Sequence, residues 1–307
     1  MTPQGECVIK GRAGVRGRSM WRVFVFICLT AGPLSAHALD LFGYVGVACG
    51  HDDSFDDTTV TGYSAEVAGW TTANHLCLIG APGTWAAQIR AADAQWRPIL
   101  SVEAAFAFGT GGPDSPNAQA VWALVVRAIA DSGVDTARII FYLVDEPQLR
   151  GFDVAEVERA ATIIRTAYPA SEVMLIEAHD RAGPPAIPPS VTLWGFDAYG
   201  VADPLKQPLY MTYLRLAQGQ LGPRQRLVLV LDANHTPWHT KNGLTPADMA
   251  DVALAYERLA LTLPDLAGMI GYTWAGGIDN LSERGLRDLP PQVLTAHQAM
   301  AARLLAR

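Results

Sequence analysis

Ile139-Ile140-Phe141-Tyr142-Leu143-Val144-Asp145-Glu146-Pro147 opens with an unbroken apolar run and then turns abruptly to two carboxylates and a proline. Continuous hydrophobicity over so few residues, with β-branched and aromatic side chains, marks a strand buried on both faces. Similar runs lie on either side of it. They cover residues 41–47, 75–79, 98–102, 138–144, 172–176, 191–196, 226–231 and 269–274.

Between the runs the period changes to that of a helix. Residues 118–132 carry Val121, Leu124, Val125 and Ala128 at i, i+3, i+4 and i+7, one apolar stripe on a helix. Residues 154–168 follow Asp153, a good N-cap, and stop before Pro169. Further helices are expected over 62–70, 84–95, 208–221, 245–263 and 290–305. The segment 179–189 is too rich in proline for a full helix. Eight buried strands alternating with helices over about 270 residues predict an α/β fold of (β/α)₈ TIM-barrel type. A doubly wound open sheet is the competing fold. It is disfavoured because the first run, Leu41-Phe42-Gly43-Tyr44-Val45-Gly46, leads into no Gly-x-Gly-x-x-Gly and no phosphate-binding loop.

The N-terminus reads differently. Arg16, Arg18 and Arg22 precede a short apolar run ending at Leu29, and Ala36-His37-Ala38 follows. This is the layout of a secretory signal peptide, and the run is too short to stay in a bilayer. The expected organisation is therefore a cleaved segment over 1–38 and a single barrel over 39–307, secreted or periplasmic, with no stable membrane anchor. The whole chain has a formal net charge of −7, and losing the Arg-rich leader makes it more acidic. Nucleic acid and anionic membranes are poor partners for such a surface. A monomer with a neutral or cationic ligand is expected. Cys49 and Cys77 remain after cleavage, and either a disulfide or two buried thiols fits them.

Barrel active sites are built where strands end. Run one leads to His51, Asp52 and Asp53, and run three to Glu103 and a loop with Phe106, Phe108 and several glycines. Run four leads to Asp145 and Glu146, run five to Glu177, His179 and Asp180, and run six to Asp197 and Tyr199. Run seven leads to Asp232 and His235, and run eight ends on Trp274. Carboxylates and aromatics thus gather on one rim. Glycosidic cleavage needs a carboxylic acid to protonate the leaving oxygen and a second group to support an oxocarbenium-like transition state. Aromatic faces suit the C–H faces of a pyranose. Carbohydrate is the expected partner.

The fourth run with Asp145-Glu146-Pro147 resembles the fourth strand of the TIM-barrel glycoside hydrolase superfamily, where a carboxylate acid/base sits at the strand end. Gly271-Tyr272-Thr273-Trp274 is similar to the strand-eight segment whose aromatic floors the sugar site in those enzymes. The resemblance implies a glycoside hydrolase with Glu146 as general acid. Two partners are open. Asp232 would be nucleophile or base, although the largest clan of the superfamily usually carries Glu there. Alternatively Asp145 would orient a substrate acetamido group that attacks the anomeric carbon, with Tyr199 donating to the acetamido oxygen, as in hexosaminidase-like and chitinase-like families. The chitinase pattern itself is absent, because Ile139, Tyr142 and Val144 stand where its acids would be. Glu103, Asp197, Tyr199, Trp274 and His235 are the expected substrate contacts. His235 and His239 have a metal-like spacing, but Pro237 between them argues against one helical face. No metal and no cofactor is expected. The competing function is a carbohydrate-binding barrel without catalysis.

Overall fold

The computed structural model describes residues 38–49, 62–179, 183–278 and 281–306. The leader up to residue 37, His51, Asp52, Asp53 and Asp180 lie outside these residues. Eight parallel strands form the sheet: Leu41–Tyr44, Ala73–Leu76, Arg97–Ser101, Ile140–Asp145, Glu172–Ala178, Leu193–Asp197, Arg226–Asp232 and Leu266–Tyr272. They are strands one to eight below. Each neighbours the next from two to eight, and strand eight returns to strand one. This is the (β/α)₈ barrel that the alternation of runs predicts.

Helices α2 (Pro82–Asp93), α3 (Pro116–Ser132), α4 (Val154–Ala167), α5 (Pro208–Gln220), α7 (Met249–Ala260) and α8 (Pro291–Leu305) cover the outside. Their ends follow from local chemistry. The Ser115 hydroxyl accepts from the Ala118 N–H at 3.2 Å, and Gly133 closes α3 at φ +69°. Asp153 caps α4 by accepting from the Ala155 N–H at 2.8 Å. Two segments depart from expectation. The helix expected over 62–70 is one turn, α1 (Ser64–Val67), and the helix expected over 245–263 is preceded by a separate short turn, α6 (Pro237–Lys241). Thr236 starts that turn with a capping box and Pro237 is its first residue.

Strand parity sorts the core into two layers. Leu41, Ile99, Ile140, Met174, Val228 and Ile270 fill the lumen. Phe42, Phe141, Leu175, Trp194, Leu229 and Met269 face the helices. Strand four breaks parity once. Tyr142 pairs with Met174 and Val144 with Leu175, so Leu143 is an extra residue in the ladder. Leu143 and Val144 then both join the outer layer, and Asp145 pairs with the inward-facing Ile176. A bulge of this kind resets which face later residues meet. Without it, Asp145 would point at the helices.

Strands one and two share no regular ladder among the described residues. A Cβ on Gly43 would lie 1.3 Å from the Ala73 carbonyl oxygen, so only glycine lets the two backbones pass this closely. Side chains replace the missing bonds. Thr72 Oγ1 accepts from the Phe42 N–H at 2.8 Å, and Asn74 Oδ1 from the Tyr44 N–H at 3.0 Å. At the mouth end Ala48 bridges Leu76, and Cys49 is disulfide-bonded to Cys77. The closed loop spans 28 positions, a length for which loss of the cross-link costs roughly 3.5 kcal/mol by chain entropy. Changing both cysteines to Ser is expected to lower stability by about that amount. An unchanged denaturation midpoint in the double variant would show that the seam does not depend on the bond.

Candidate active site

A cavity of about 270 Å³ opens at the carboxyl ends of the strands. Its floor is the top of the lumen layer, with Ile99, Met174, Ile176, Val230 and Ile270. Four carboxylates enter its wall: Glu103, Asp145, Glu146 and Asp197. Tyr142, Tyr199 and Tyr272 supply phenols, and Cys49, His75 and Cys77 close one side.

Adjacent residues on a strand normally point to opposite faces. Asp145 and Glu146 nevertheless line the same cavity. The bulge turns Asp145 inward, and Glu146 sits at φ +43°, the left-handed region that a non-glycine residue enters at a cost of about 1 kcal/mol or more. The Glu146 N–H donates to the Ile176 carbonyl at 2.8 Å, and its carbonyl accepts from the Arg150 N–H at 3.0 Å. These bonds hold the unusual backbone in place.

Asp145 accepts from the Tyr142 hydroxyl at 2.5 Å, while its own N–H donates to Glu103 at 3.2 Å. Glu103 in turn pairs with Arg150 at 2.6 Å, and Arg150 also donates to the Asp145 carbonyl at 3.1 Å. Arg150 lies 4.6 Å from the centre of the Phe152 ring, so it is gripped from two sides. Glu103 therefore acts as a brace for the Asp145 backbone as well as cavity wall.

Asp197 is 6% exposed. The Tyr199 hydroxyl donates to it at 3.0 Å, and its carboxyl lies within hydrogen-bonding reach of Glu146. Burial, then the charges of Glu146 and Asp145, push Asp197 up to about 9. The Tyr199 bond works in the opposite direction and is outweighed. Two carboxyls this close cannot both ionise in a poorly hydrated site, so the pair holds a proton at neutral pH. Burial and the neighbouring carboxylates also raise Tyr142 and Tyr199 well above the ordinary phenol value, which keeps both as hydrogen-bond donors.

The other expected contacts are elsewhere. Asp232 has the inward parity of strand seven, yet it is fully buried and does not line the cavity. It accepts from the Gly200 N–H at 2.8 Å and lies 3.0 Å from His239 Nε2. The Thr236 N–H donates to His239 Nδ1 at 3.0 Å, so the ring proton sits on Nε2 and is donated to Asp232. Asp232 thus ties the loop after strand six to α6. His235 contacts the Leu244 carbonyl at 3.1 Å and stacks near His239, away from the cavity. Trp274 is 1% exposed, donates to Glu66 at 2.8 Å and packs on Tyr44 and Trp70. Tyr272 is the strand-eight aromatic that meets the cavity, with its ring 5.5 Å from that of Tyr199. Two-residue periodicity places Tyr272 beside Ile270 in the lumen layer, and that was the available signal. Tyr142 follows in the same way from Ile140. His75 lies two residues beyond the lumen-facing Ala73, but the expected run began at residue 75 and hid that step; Arg150, in the loop after strand four, had no comparable signal.

Asp232→Ala would strand the buried His239 donor and leave the Gly200 N–H without its acceptor, costing about 3 kcal/mol. The expected result is a lower denaturation midpoint. A fully stable variant with kcat reduced by orders of magnitude would instead mark Asp232 as a reacting group.

Among the described residues, Cys49, His75 and Cys77 are the group whose donor atoms converge as metal ligands would. The two sulfurs are bonded to each other, and His75 Nδ1 lies 3.3 Å from Cys49 Sγ. Bonded sulfurs are not thiolate ligands.

The fold is shared with solved glycoside hydrolases. A β-glucuronidase from an uncultured Clostridium species aligns at TM-score 0.56 and 12% identity, over 87% of this chain and 50% of that one. A GH113 β-1,4-mannanase aligns at 0.54 and 11%, over 88% of this chain and the whole of that one. An α-amylase from Geobacillus thermoleovorans aligns at 0.57 and 14%, over 87% and 79%. The chain thus spans half the length of the glucuronidase and all of the mannanase. No protein-family model matches the sequence, and no curated protein does. At these identities the likeness establishes the barrel fold.

Proposed function

We propose that this chain is a glycoside hydrolase in which Glu146 protonates the leaving oxygen of a bound glycan. The observation that carries the reading is the contact between the half-buried Glu146 and the buried Asp197 in the cavity wall. General acid catalysis at neutral pH requires a carboxyl that has kept its proton, and a close pair of carboxyls supplies one. Asp197 holds the proton against Glu146, and Glu146 delivers it. Carboxyls in mutual contact are nearer than the 5–5.5 Å or so of a retaining pair, which makes Asp197 a proton partner rather than a nucleophile.

Asp145 is the anionic partner in this reading. It accepts from Tyr142 and stands next to Glu146, where its charge stabilises a cationic anomeric centre or orients an acetamido N–H. The covered position of Asp232 favours Asp145 over it. Tyr199 and Tyr272 form an aromatic corner for the sugar ring. Export is part of the proposal, supported by the Arg-flanked apolar N-terminus and by the Cys49–Cys77 disulfide, a bond that persists in oxidising compartments.

The test is a hydrolysis screen over bacterial and plant glycans, with and without N-acetyl groups, run on wild type and Glu146→Gln in parallel. Release of reducing ends by the wild type alone supports the proposal. Saturable binding with no turnover by wild type on any glycan would replace it with a non-catalytic binding barrel.

A further inference from the structure

Trp238 is 51% exposed, although it sits in a well-braced part of the rim. Its indole N–H donates to the Tyr199 carbonyl at 3.2 Å, and its own carbonyl accepts from the Asn242 side chain at 3.0 Å. The Lys241 ammonium lies 5.1 Å from the ring centre. Gly200, at φ +74°, passes so close that a Cβ there would meet the indole nitrogen at 3.0 Å. The Asp232–His239 contact fixes α6 from below. A large aromatic surface is thus held in one orientation and still left open to solvent. An exposed indole on a mobile loop would be ordinary. One that is fixed and open is arranged for a flat apolar partner.

The position says which partner. Trp238 bonds to the backbone of Tyr199, whose hydroxyl reaches Asp197 inside the cavity. The indole is therefore one residue's reach from the cavity wall, on the loop that follows strand seven. We infer that Trp238 is a sugar-stacking subsite outside the cavity, and that the ligand is a glycan chain of several residues rather than a single sugar on a small aglycone. The C–H face of a pyranose rests on the indole, while Lys241 donates to its hydroxyls.

This rests on the carbohydrate reading of the cavity but not on catalysis, so binding is measured in the Glu146→Gln background. The probes are disaccharides and hexasaccharides of the cello, manno, malto and chito series, titrated by calorimetry. With whichever series binds, Trp238→Ala is expected to weaken hexasaccharide binding about tenfold and to alter disaccharide binding less than twofold. Trp238→Phe should recover part of the loss, which also controls for misfolding of the alanine variant. Equal losses for both lengths, no loss for either, or hexasaccharide binding no tighter than disaccharide binding in the parent would overturn the subsite. Any of these leaves the hydrolase proposal standing, because hydrolysis of short glycosides by wild type tests that separately. If no series binds at all, the subsite inference fails, and the hydrolysis screen alone decides the hydrolase proposal.

Discussion

Glu146→Gln is expected to lower hydrolysis by about 10³-fold while the protein stays folded and still binds its glycan. Gln keeps the length and the hydrogen-bonding shape of the side chain but has no proton to transfer, and the loss of a positioned acid is typically worth about 10²–10⁴-fold. The backbone at residue 146 is already in the left-handed region, so the strain is common to both proteins and does not separate them. Removing the negative charge beside Asp197 relieves one of the causes that push that carboxyl upward. The thermal midpoint of the variant should therefore be no lower than that of wild type. Initial rates and a melting curve on the same preparations suffice. Wild-type turnover in the variant would remove Glu146 from the mechanism.

Asp197→Asn addresses the other half of the pair through pH. With Asp197 pushed up to about 9, the pair retains its shared proton across the neutral range, and the alkaline limb of kcat/KM should fall only as pH approaches that value. Asn holds no proton to share and no charge to retain one on Glu146. The alkaline limb is then expected to move down by a unit or more, with about tenfold lower kcat/KM at neutral pH. Stability changes too. Between the ordinary carboxyl value of 3.8 and about 9, the folded protein binds a proton that the unfolded chain has released. Stability is therefore greatest at the acid end of that window and declines as pH rises through it. The Asn variant should lose this slope. Superimposable pH–rate and pH–stability curves for the two proteins would dissolve the pair.

The barrel was legible because its cause is repetitive. Buried strands need unbroken apolar runs and covering helices need a stripe, and both patterns recur along the chain. Strand limits were less so: the second strand is Ala73–Leu76 where the run spans 75–79, and the last is Leu266–Tyr272 where the run ends at residue 274. Asn74 interrupts the apolar run because its side chain bonds the neighbouring strand across the seam instead of packing in a core, and Gly271 and Tyr272 precede a turn that no hydrophobic count reveals. In the site, Asp145, Glu146, Glu103, Asp197 and Tyr199 were found because strand ends are countable, and the structure brings these five to one cavity. Asp232 and His235 were counted by the same rule, but α6 and the Gly200 loop fold over them. Position along a strand says that a side chain is at the mouth. It does not say what the next loop lays on top.

Leu143 stands in the fourth strand without a partner of its own on the fifth. Its removal would leave Val144 opposite Leu175 and Asp145 opposite Ile176, so losing one codon there straightens the strand and keeps Asp145 on the lumen side. The mouth can therefore shed a residue at this point without losing its acid, whereas loss of a residue beyond the bulge has no slack to absorb it. A scan of amino-acid replacements, however exhaustive, samples neither event.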